Sequence, residues 1–306
     1  MFQNIKKKSL RLLEITKVRI FYFLKDLFFP HETLYIQDQI SFENSLKDIE
    51  SKKILAVDTE FIWRNTYFPK LSLVQICTGK KIYIIDCMSI SILKLENVLA
   101  NENILKIFHS IRNDASIFFN CLEIKLNNIF DTQLAENFIE KNKNKGDQVS
   151  YKKLVNRYFF RNILKSETNS DWKKRPLSSK QLDYAAEDVR YLISIMKIQK
   201  GKLKKLKMLD RFKNQCDQEK KLGEEDFSLS RIRRFKKKNK NVSKVDLKIF
   251  EWRENQAKKL DVPPSHIIED RDIKKLKNIV DKKKIKEFIW IIKKDSSRDD
   301  FINLFL

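Results

Sequence analysis

Two acidic side chains stand two residues apart at the end of an apolar run. Asp58 and Glu60 follow Ile54-Leu-Ala-Val57, which predicts a buried strand. Because strand side chains alternate between two faces, both carboxylates should lie on one face. Neighbouring carboxylates repel each other, and a hard divalent cation is their natural ligand. An Asp-x-Glu pair alone also fits a strand end that runs into a solvated turn.

A third acid stands at the start of a predicted helix. The segment from Phe108 to Asp114 predicts a strand end, a turn and the first turn of a helix. A carboxylate is favoured there by the helix dipole, so capping alone would explain Asp114. His109 lies five residues earlier and could touch a scissile phosphate, although we favour a structural role that holds the turn.

A tyrosine and a fourth acid share a long predicted helix. Tyr184 and Asp188 are four residues apart and therefore lie on one helix face, whereas Glu187 falls off that face. Taken alone, the pair fits a surface tyrosine beside a surface acid. Together, the four acids and the tyrosine form an ordered set from a strand, a strand-to-helix turn and a helix.

The segments that must position this set alternate between strand and helix patterns, which predicts a layered α/β fold. Thr78-Gly-Lys80 should join two strands as a β-hairpin that opens the domain. Strands are predicted at residues 54–57, 71–77, 81–85 and 104–108. Helices are predicted at residues 91–100, 113–121, 132–141, 151–159 and 178–197.

Composition excludes several function classes. None of the four glycines in the 306 residues lies in a G-x-G-x-x-G or Walker A pattern, so no nucleotide cofactor is expected. The four cysteines show no C-x-x-C pair and, with only three histidines, no zinc-ligand spacing. They fit core thiols in a reducing compartment, which favours a cytoplasmic location. No apolar run reaches 18 residues, so no spanning helix is expected.

The formal net charge of +23 lies mostly at the two ends of the chain. Residues 201–306 contribute +13, from 31 basic and 18 acidic residues, and residues 1–30 contribute +5. We predict a basic extension (1–30), a catalytic domain (31–205), a charged linker with connecting helices (206–243) and a helical domain (244–306). For the extension we favour a docking or fraying terminal helix over a basic, aromatic helix that lies on a membrane surface. The charge suggests a polyanionic partner, although an A+T-rich genome could also raise the lysine content.

The acid and tyrosine set resembles the DEDDy family of 3'-5' exonucleases, and more closely ribonuclease D. The resemblance covers about residues 32 to 200. Its motifs are Asp58-Thr-Glu-Phe61, Thr66-Tyr-Phe-Pro-Lys-Leu-Ser-Leu-Val-Gln-Ile76, Phe130-Asp-Thr-Gln-Leu134, Ser170-Asp-Trp-Lys-Lys-Arg-Pro-Leu177 and Tyr184-Ala-Ala-Glu-Asp188.

This resemblance implies a ribonuclease H-like fold, a mixed sheet flanked by helices, whose four acids hold two Mg2+ or Mn2+ ions. Asp58 would bridge both ions, Glu60 and Asp188 would complete the first site, and Asp114 would help to hold the second.

The resemblance also implies how substrate is held. Tyr184 would position the attacking water. The main chain around Thr59 and Phe61 would seat the terminal nucleotide, where Phe61 could stack on a base or belong to the core. A histidine at the position of His109 is familiar in these sequences.

The C-terminal segment resembles a helicase-and-ribonuclease-D C-terminal (HRDC) domain, a small all-α bundle that binds nucleic acid. The motif runs from Leu247 to Pro264 around Trp252-Arg-Glu and continues at Ile267-Ile-Glu-Asp270. One such domain fits residues 244–306. We expect Phe250 and Trp252 to pack the bundle and the lysines to contact phosphates.

These features favour a metal-dependent 3'-5' exoribonuclease that releases nucleoside 5'-monophosphates. The family resemblance supplies RNA 3' ends, typically of tRNA precursors, as the substrate. A DNA exonuclease of the same superfamily is an alternative, because only recognition of the 2'-hydroxyl separates the two sugars. A second alternative is a catalytically inert nucleic-acid-binding module, but the retention of all four acids and the tyrosine argues against it.

Overall fold

The computed structural model describes residues 31–140, 148–163, 167–239, 241–281 and 289–305. The basic extension predicted at residues 1–30 lies outside these ranges. The chain divides into two compact units: the first takes the chain up to Ile62 and Leu71–Glu224, and the second takes Trp63–Lys70 and Glu225–Leu306. In the described ranges, no helix combines the length and the apolar character needed to cross a membrane.

The first unit contains a six-stranded sheet in the order β1-β4-β3-β2-β5-β6. Its strands are β1 (Glu32–Ile36), β2 (Ile54–Ile62), β3 (Lys70–Cys77), β4 (Lys81–Asp86), β5 (Leu105–Phe108) and β6 (Ile129–Asp131). The β3–β4 pair is antiparallel, whereas the β1–β4, β2–β5 and β5–β6 pairs are parallel. The sheet is therefore mixed, as the family resemblance implies.

The predicted hairpin is confirmed, because β3 and β4 pair through the turn at Thr78-Gly79-Lys80. Gly79 adopts a φ of 91°, a conformation that glycine reaches without steric cost. The hairpin does not open the domain, however, since β1 and a first helix precede β2. β1 was not predicted from the sequence, because Glu32-Thr-Leu-Tyr-Ile36 is short and shows neither strict alternation nor a continuous apolar run.

The helices of the first unit are α1 (Gln39–Glu50), α2 (Glu96–Leu99, after a 3-10 turn at Leu93–Leu95), α3 (Arg112–Leu122), α4 (Thr132–Ile139), α5 (Tyr151–Phe159), α6 (Ser179–Arg190), α7 (Leu192–Lys205) and α8 (Leu209–Gly223). The single helix predicted at 178–197 was wrong in one respect. It is interrupted at Tyr191, and α7 continues to Lys205.

The core of the first unit lies against both faces of the sheet. Val74 and Leu73 on β3 and Ile84 and Ile85 on β4 are adjacent in sequence yet fully buried. Alternating side chains point to opposite faces, so burial of consecutive residues means that both faces are covered. This covered sheet fixes the strand that carries Asp58 and Glu60.

The second unit is helical. Its elements are α9 (Phe227–Lys238), α10 (Lys244–Lys259), α11 (Ile273–Asp281) and α12 (Asp295–Phe305), with 3-10 turns at Pro264–His266, Asp270–Asp272 and Ile289–Ile291. Residues 206–243, predicted as a charged linker with connecting helices, form α8 in the first unit and α9 in this one.

The core of the second unit contains the aromatic side chains predicted to pack it. Phe250 and Trp252 on α10 are 1% and 4% exposed, which confirms their packing role. Trp252 Nε1 donates a 2.7 Å hydrogen bond to Asp300 on α12. The unit also takes Tyr67, fully buried, from a segment that the sequence pattern placed in the first domain.

Candidate active site

Strand β2 carries the first two acids. Leu55, Ala56 and Val57 are completely buried, and the strand pairs with β5 over Ile54–Ala56. The strand then continues through Asp58 and Glu60, whose side chains are partly buried. Their shared face follows from the strand period of two, as predicted.

Helix α6 brings the tyrosine and the fourth acid. Ser178 and Gln181 form a capping box that fixes where the helix begins. Ala185, Ala186 and Val189 are buried, so one face of α6 belongs to the core. Tyr184 and Asp188 are partly buried on the same helix.

Three of the predicted acids come together from these two elements. Asp58, Glu60 and Asp188 each offer one carboxylate oxygen, and these oxygens all lie within 4.8 Å of one another. No other group of three or more potential ligands of this kind is found among the described residues. A set of carboxylate oxygens is suited to hard cations such as Mg2+ or Mn2+. Structural zinc sites, in contrast, use mainly Cys sulfur and His nitrogen ligands.

Burial and the neighbouring negative charges both disfavour the ionised form of the site carboxylates. Burial, followed by the charges of Asp114, Asp188 and Glu60, raises the pKa of Asp58 well above its usual range. Burial and the charges of Asp188 and Asp114 raise the pKa of Glu60 to about 9. Like charges in a desolvated site favour the neutral acids, and a bound divalent cation reverses that preference.

The remaining predicted acid, Asp114, lies outside the 4.8 Å group, but its charge raises the pKa of Asp58. It is the third residue of α3 and is 6% exposed. Thr59 Oγ1 on β2 donates a 2.7 Å hydrogen bond to Asp114 Oδ1. Burial raises the pKa of Asp114 to about 7, although the hydrogen bond from Thr59 lowers it. Thr59 thus connects Asp114 to the strand that carries Asp58 and Glu60.

Asp131 holds the turn that leads into α3, a role that was not assigned from the sequence. Its buried carboxylate accepts hydrogen bonds from the backbone N–H groups of Ser110 (3.2 Å) and Ile111 (2.9 Å), directly before α3. It also caps α4 by accepting from Gln133 (2.8 Å) and Leu134 (3.1 Å). Its position in the Phe130-Asp-Thr-Gln-Leu134 motif is the signal that could have found it.

Tyr184 packs beside Trp172, with ring centroids 5.8 Å apart. Its hydroxyl lies 3.4 Å from Thr168 Oγ1. Burial and then the charge of Asp188 raise the pKa of Tyr184 above its usual value, and Glu60 and Asp58 add to this effect. The hydroxyl is therefore neutral at pH 7 and can donate a hydrogen bond.

The segment before α6 is fixed to the sheet by Arg175, whose role was also not assigned from the sequence. Its guanidinium donates to both carboxylate oxygens of Asp86, at 2.5 and 2.7 Å, and Asp86 is fully buried at the end of β4. Ser72 Oγ donates a 2.5 Å hydrogen bond to the carbonyl oxygen of Trp172. These contacts set where α6 begins, and hence where Tyr184 and Asp188 lie.

Thr59, Phe61 and His109 were predicted to contact substrate. In the structure, the side chains of Thr59 and His109 contact other protein residues. Thr59 is 7% exposed and uses its hydroxyl on Asp114. His109 Nδ1 lies 3.0 Å from Thr132 Oγ1, and its ring lies 5.7 Å from that of Tyr151. These contacts are those of a residue that holds the turn. Phe61 is partly exposed on β2, and its contact with a nucleotide stays a prediction.

Comparison with known proteins agrees with this geometry. Residues 34–204, more than half of the chain, match the family model described as 3'-5' exonuclease. A ribonuclease D from Desulfotalea psychrophila is 36% identical over 247 residues, which cover 76% of this chain and 64% of that protein. The chain therefore spans less than two thirds of the length of this curated relative.

Two solved structures share the fold. The crystal structure of Escherichia coli ribonuclease D, described as an exoribonuclease involved in structured RNA processing, superposes with a TM-score of 0.71 at 23% identity, covering 79% of this chain and 65% of that one. Brucella melitensis NrnC with bound Mg2+ gives a TM-score of 0.53 at 22% identity, covering 63% of this chain and 90% of that one.

Proposed function

Because this chain belongs to the 3'-5' exonuclease family, we propose that it is a divalent-metal-dependent 3'-5' exoribonuclease of the ribonuclease D type. It hydrolyses RNA from the 3' end and releases nucleoside 5'-monophosphates. The observation that carries the proposal is the group of three carboxylates, Asp58, Glu60 and Asp188, within 4.8 Å on the segment that matches the family.

The metal sites of the proposal use the four acids. Asp58, Glu60 and Asp188 would hold one ion, and Asp58 with Asp114 would hold the second. Two bound Mg2+ or Mn2+ ions would supply Lewis-acid activation of water and neutralisation of the departing 3'-oxygen. Burial and the charges of Asp188 and Asp114 raise the pKa of Glu60 to about 9, and this supports the assignment because a bound cation would favour the charged carboxylate.

The chain's own residues then orient the reactants. The neutral hydroxyl of Tyr184 would hydrogen-bond the attacking water and fix its direction, since a phenol is a poor base at pH 7. Thr59 holds Asp114 in place, and Asp131 holds the turn from which α3 starts. Phe61 would contact the terminal nucleotide by stacking on its base.

RNA is the proposed substrate because the curated relative is named ribonuclease D and the Escherichia coli protein is described as acting on structured RNA. Precursors of tRNA are the proposed physiological class. We also propose that residues 244–306 act as an HRDC-like nucleic-acid-binding domain, which is supported by their 16 basic against 12 acidic residues and by the strongly basic segment that precedes them. The cytoplasmic location expected from the cysteine pattern stays a prediction.

The test is mononucleotide release from one oligonucleotide sequence supplied as 3'-labelled RNA, 3'-blocked RNA and DNA, with Mg2+, with Mn2+ and with EDTA. We expect release of 5'-monophosphates from unblocked RNA only when a metal ion is present. Equal rates on DNA and RNA would replace the proposal with a DNA or sugar-indifferent exonuclease. If no substrate shows metal-dependent mononucleotide release, the result would favour a catalytically inert nucleic-acid-binding module instead.

The site assignment is tested separately by matched substitutions on α6. Asp188→Asn should lower release by several orders of magnitude, because it removes a shared ligand. Asp183→Asn changes an exposed acid on the same helix and should leave the rate unchanged. Asp58→Asn should behave like Asp188→Asn. Persistent trimming by either site variant would overturn the assignment.

A further inference from the structure

The second unit contains a basic cavity of about 620 Å3. Its wall is formed by one face of α9, by α10 and by the chain around Pro264 and Ser265. Among the described residues that line it, five are cationic and one is acidic: Arg231, Arg234, Lys237, Lys238 and Arg253, against Asp270. A cavity with this balance favours an anionic ligand.

Arg253 is the buried cation of the cavity and is 3% exposed. Its Nη1 donates to the Ile268 carbonyl oxygen (3.3 Å) and to Asp270 (2.6 Å), and its Nη2 donates to Glu254 (3.2 Å). Its Nε–H has no acceptor among the described residues. A buried N–H donor without a partner is rare in folded proteins, and an oxyanion in the cavity would supply one.

Three exposed cations face the same cavity from α9. Arg234, Lys237 and Lys238 have the spacing i, i+3 and i+4, which places them on one helix face. None of them forms an ion pair with another residue in the described part of the chain. By contrast, Arg231 pairs with Glu254 at 2.9 Å, and Arg253 pairs with Glu254 and Asp270, so the charges of these two arginines are already balanced.

The two aromatic residues that line the cavity are almost completely buried. Phe235 and Phe250 line it but are only 3% and 1% exposed, and their rings pack against each other at 5.0 Å. They offer no open ring face for a base to stack on. The ligand is therefore recognised by its charge and its oxygen atoms rather than by an aromatic platform.

We propose that this cavity binds backbone phosphates of the RNA chain, an assignment that rests on the proposed function for the identity of the polyanion. The guanidinium of Arg234 and the Nε–H of Arg253 donate to phosphate oxygens, and Lys237 and Lys238 add point charges. Contacts of this kind carry no sequence information and do not read the sugar. A polynucleotide fits better than an acidic peptide because residues 34–204 match a 3'-5' exonuclease family and every nucleotide carries a phosphate charge.

Two double substitutions on α9 test the cavity, matched in residue type, spacing and charge. Arg234→Gln with Lys237→Gln removes two cavity cations. Arg233→Gln with Lys236→Gln removes an arginine and a lysine one position earlier, neither of which lines the cavity. Affinity for a fluorescein-labelled single-stranded RNA is measured by anisotropy on the full chain in EDTA, over a range of salt concentrations. The thermal midpoint of each variant verifies folding.

The cavity variant should bind RNA about 10- to 30-fold more weakly near 0.1 M salt, and its salt slope should fall by ~1.4, about 0.7 for each lost phosphate contact. DNA of the same sequence should lose affinity by the same factor. The matched control should stay within about threefold of the wild-type affinity, because Arg233 already pairs with Glu225, neither control cation lines the cavity and charges away from the ligand are screened by salt. Equal losses of RNA affinity in both double variants would overturn the proposal that the cavity binds phosphates, and would indicate a general effect of positive charge.

Two further binding measurements identify the ligand. Saturable binding of inorganic phosphate by calorimetry, lost in the cavity variant while RNA binding is unchanged, would reassign the cavity to a free anion. Displacement of RNA by poly-glutamate at equal charge concentration would reassign it to an acidic polypeptide. Mononucleotide release is scored separately, so a chain without nuclease activity refutes the proposed function, whereas unchanged RNA affinity in the cavity variant refutes this inference.

Discussion

The hydroxyl of Thr59 donates a 2.7 Å hydrogen bond to Oδ1 of Asp114. Thr59 stands between Asp58 and Glu60 on β2, and Asp114 stands in the first turn of α3. Both side chains are buried, so water cannot easily replace the bond. The residue between the two strand acids therefore orients the acid on the helix.

Thr59→Val should lower metal-dependent mononucleotide release by about 10- to 100-fold, the usual effect of removing a support of a metal ligand. Valine keeps the shape of threonine but cannot donate the hydrogen bond. Thr59→Ser keeps the hydroxyl and should retain most of the rate. The measurement is kcat/KM on labelled RNA together with the Mn2+ concentration at half-maximal rate, which should rise in the valine variant only. Equal activity of both variants would show that the bond does not position Asp114.

Asp131→Asn should destabilise the chain by about 1–3 kcal/mol, because an amide keeps one of the two oxygens that accept four backbone N–H groups. Asp38→Asn is the matched control: Asp38 also caps a helix, α1, but it is exposed, and asparagine is an equally good N-cap. Thermal unfolding should show a lower midpoint for the Asp131 variant alone. Similar midpoints for both variants would contradict the positioning role.

The sequence predicts the parts of the site that depend on local period. Asp58 and Glu60 share a strand face, and Tyr184 and Asp188 share a helix face. Both follow from residue spacing alone, because a strand has a period of 2 residues and a helix a period of 3.6. Bringing Asp188 to Asp58 depends on long-range packing, which only the family pattern supplied. The three residues of β6 are too few to show a period, and Asp131 uses backbone partners 20 and 21 residues away. Tyr67 likewise joins the second unit through tertiary contacts that no local pattern shows.

Gly223→Ala should destabilise the first unit by about 1–3 kcal/mol, as overpacking does in a tight contact. A Cβ at this position would lie 2.5 Å from the Arg112 carbonyl oxygen and 2.8 Å from the Ala115 Cβ, so α8 would have to move away from α3. Because Asp114 stands on α3, mononucleotide release should also fall. Gly201→Ala is the control, since nothing lies within 4 Å of its Cβ. It should stabilise the chain by about 0.5–1 kcal/mol through the better helix propensity of alanine. Calorimetric midpoints that shift in the same direction for both variants would contradict the close approach at Gly223.

Lys106 should make stability rise with pH between about 8 and 10. Its side chain is fully buried on β5, where its amine donates a 2.5 Å hydrogen bond to the Asn101 carbonyl oxygen. Burial and then the charge of Lys220 lower the pKa of Lys106 to about 8. Between this value and the ordinary lysine pKa, the unfolded chain binds more protons than the folded chain, so raising the pH favours folding.

The measurement for Lys106 is the free energy of unfolding at pH 7.5 and at pH 9.5, compared with that of Lys106→Met. The variant lacks the titrating amine, so its stability relative to the wild type should decline by on the order of 2 kcal/mol over this interval. Comparison with the variant cancels the titration of other groups. Parallel profiles for the two proteins would show that Lys106 titrates normally.

Removing one site carboxylate should stabilise the metal-free chain while abolishing its response to metal. Asp58, Glu60 and Asp188 place three carboxylates within 4.8 Å, and without a cation their repulsion opposes folding. In EDTA, Asp188→Asn should therefore unfold at a higher temperature than the wild type. With Mn2+ at 100 times its dissociation constant, the wild type should gain about 2.7 kcal/mol, whereas the variant should gain much less. Asp183→Asn, an exposed change on the same helix, should match the wild type in both conditions. A wild-type midpoint that is insensitive to Mg2+ and Mn2+ would refute metal binding by this site, whatever the nuclease assay shows.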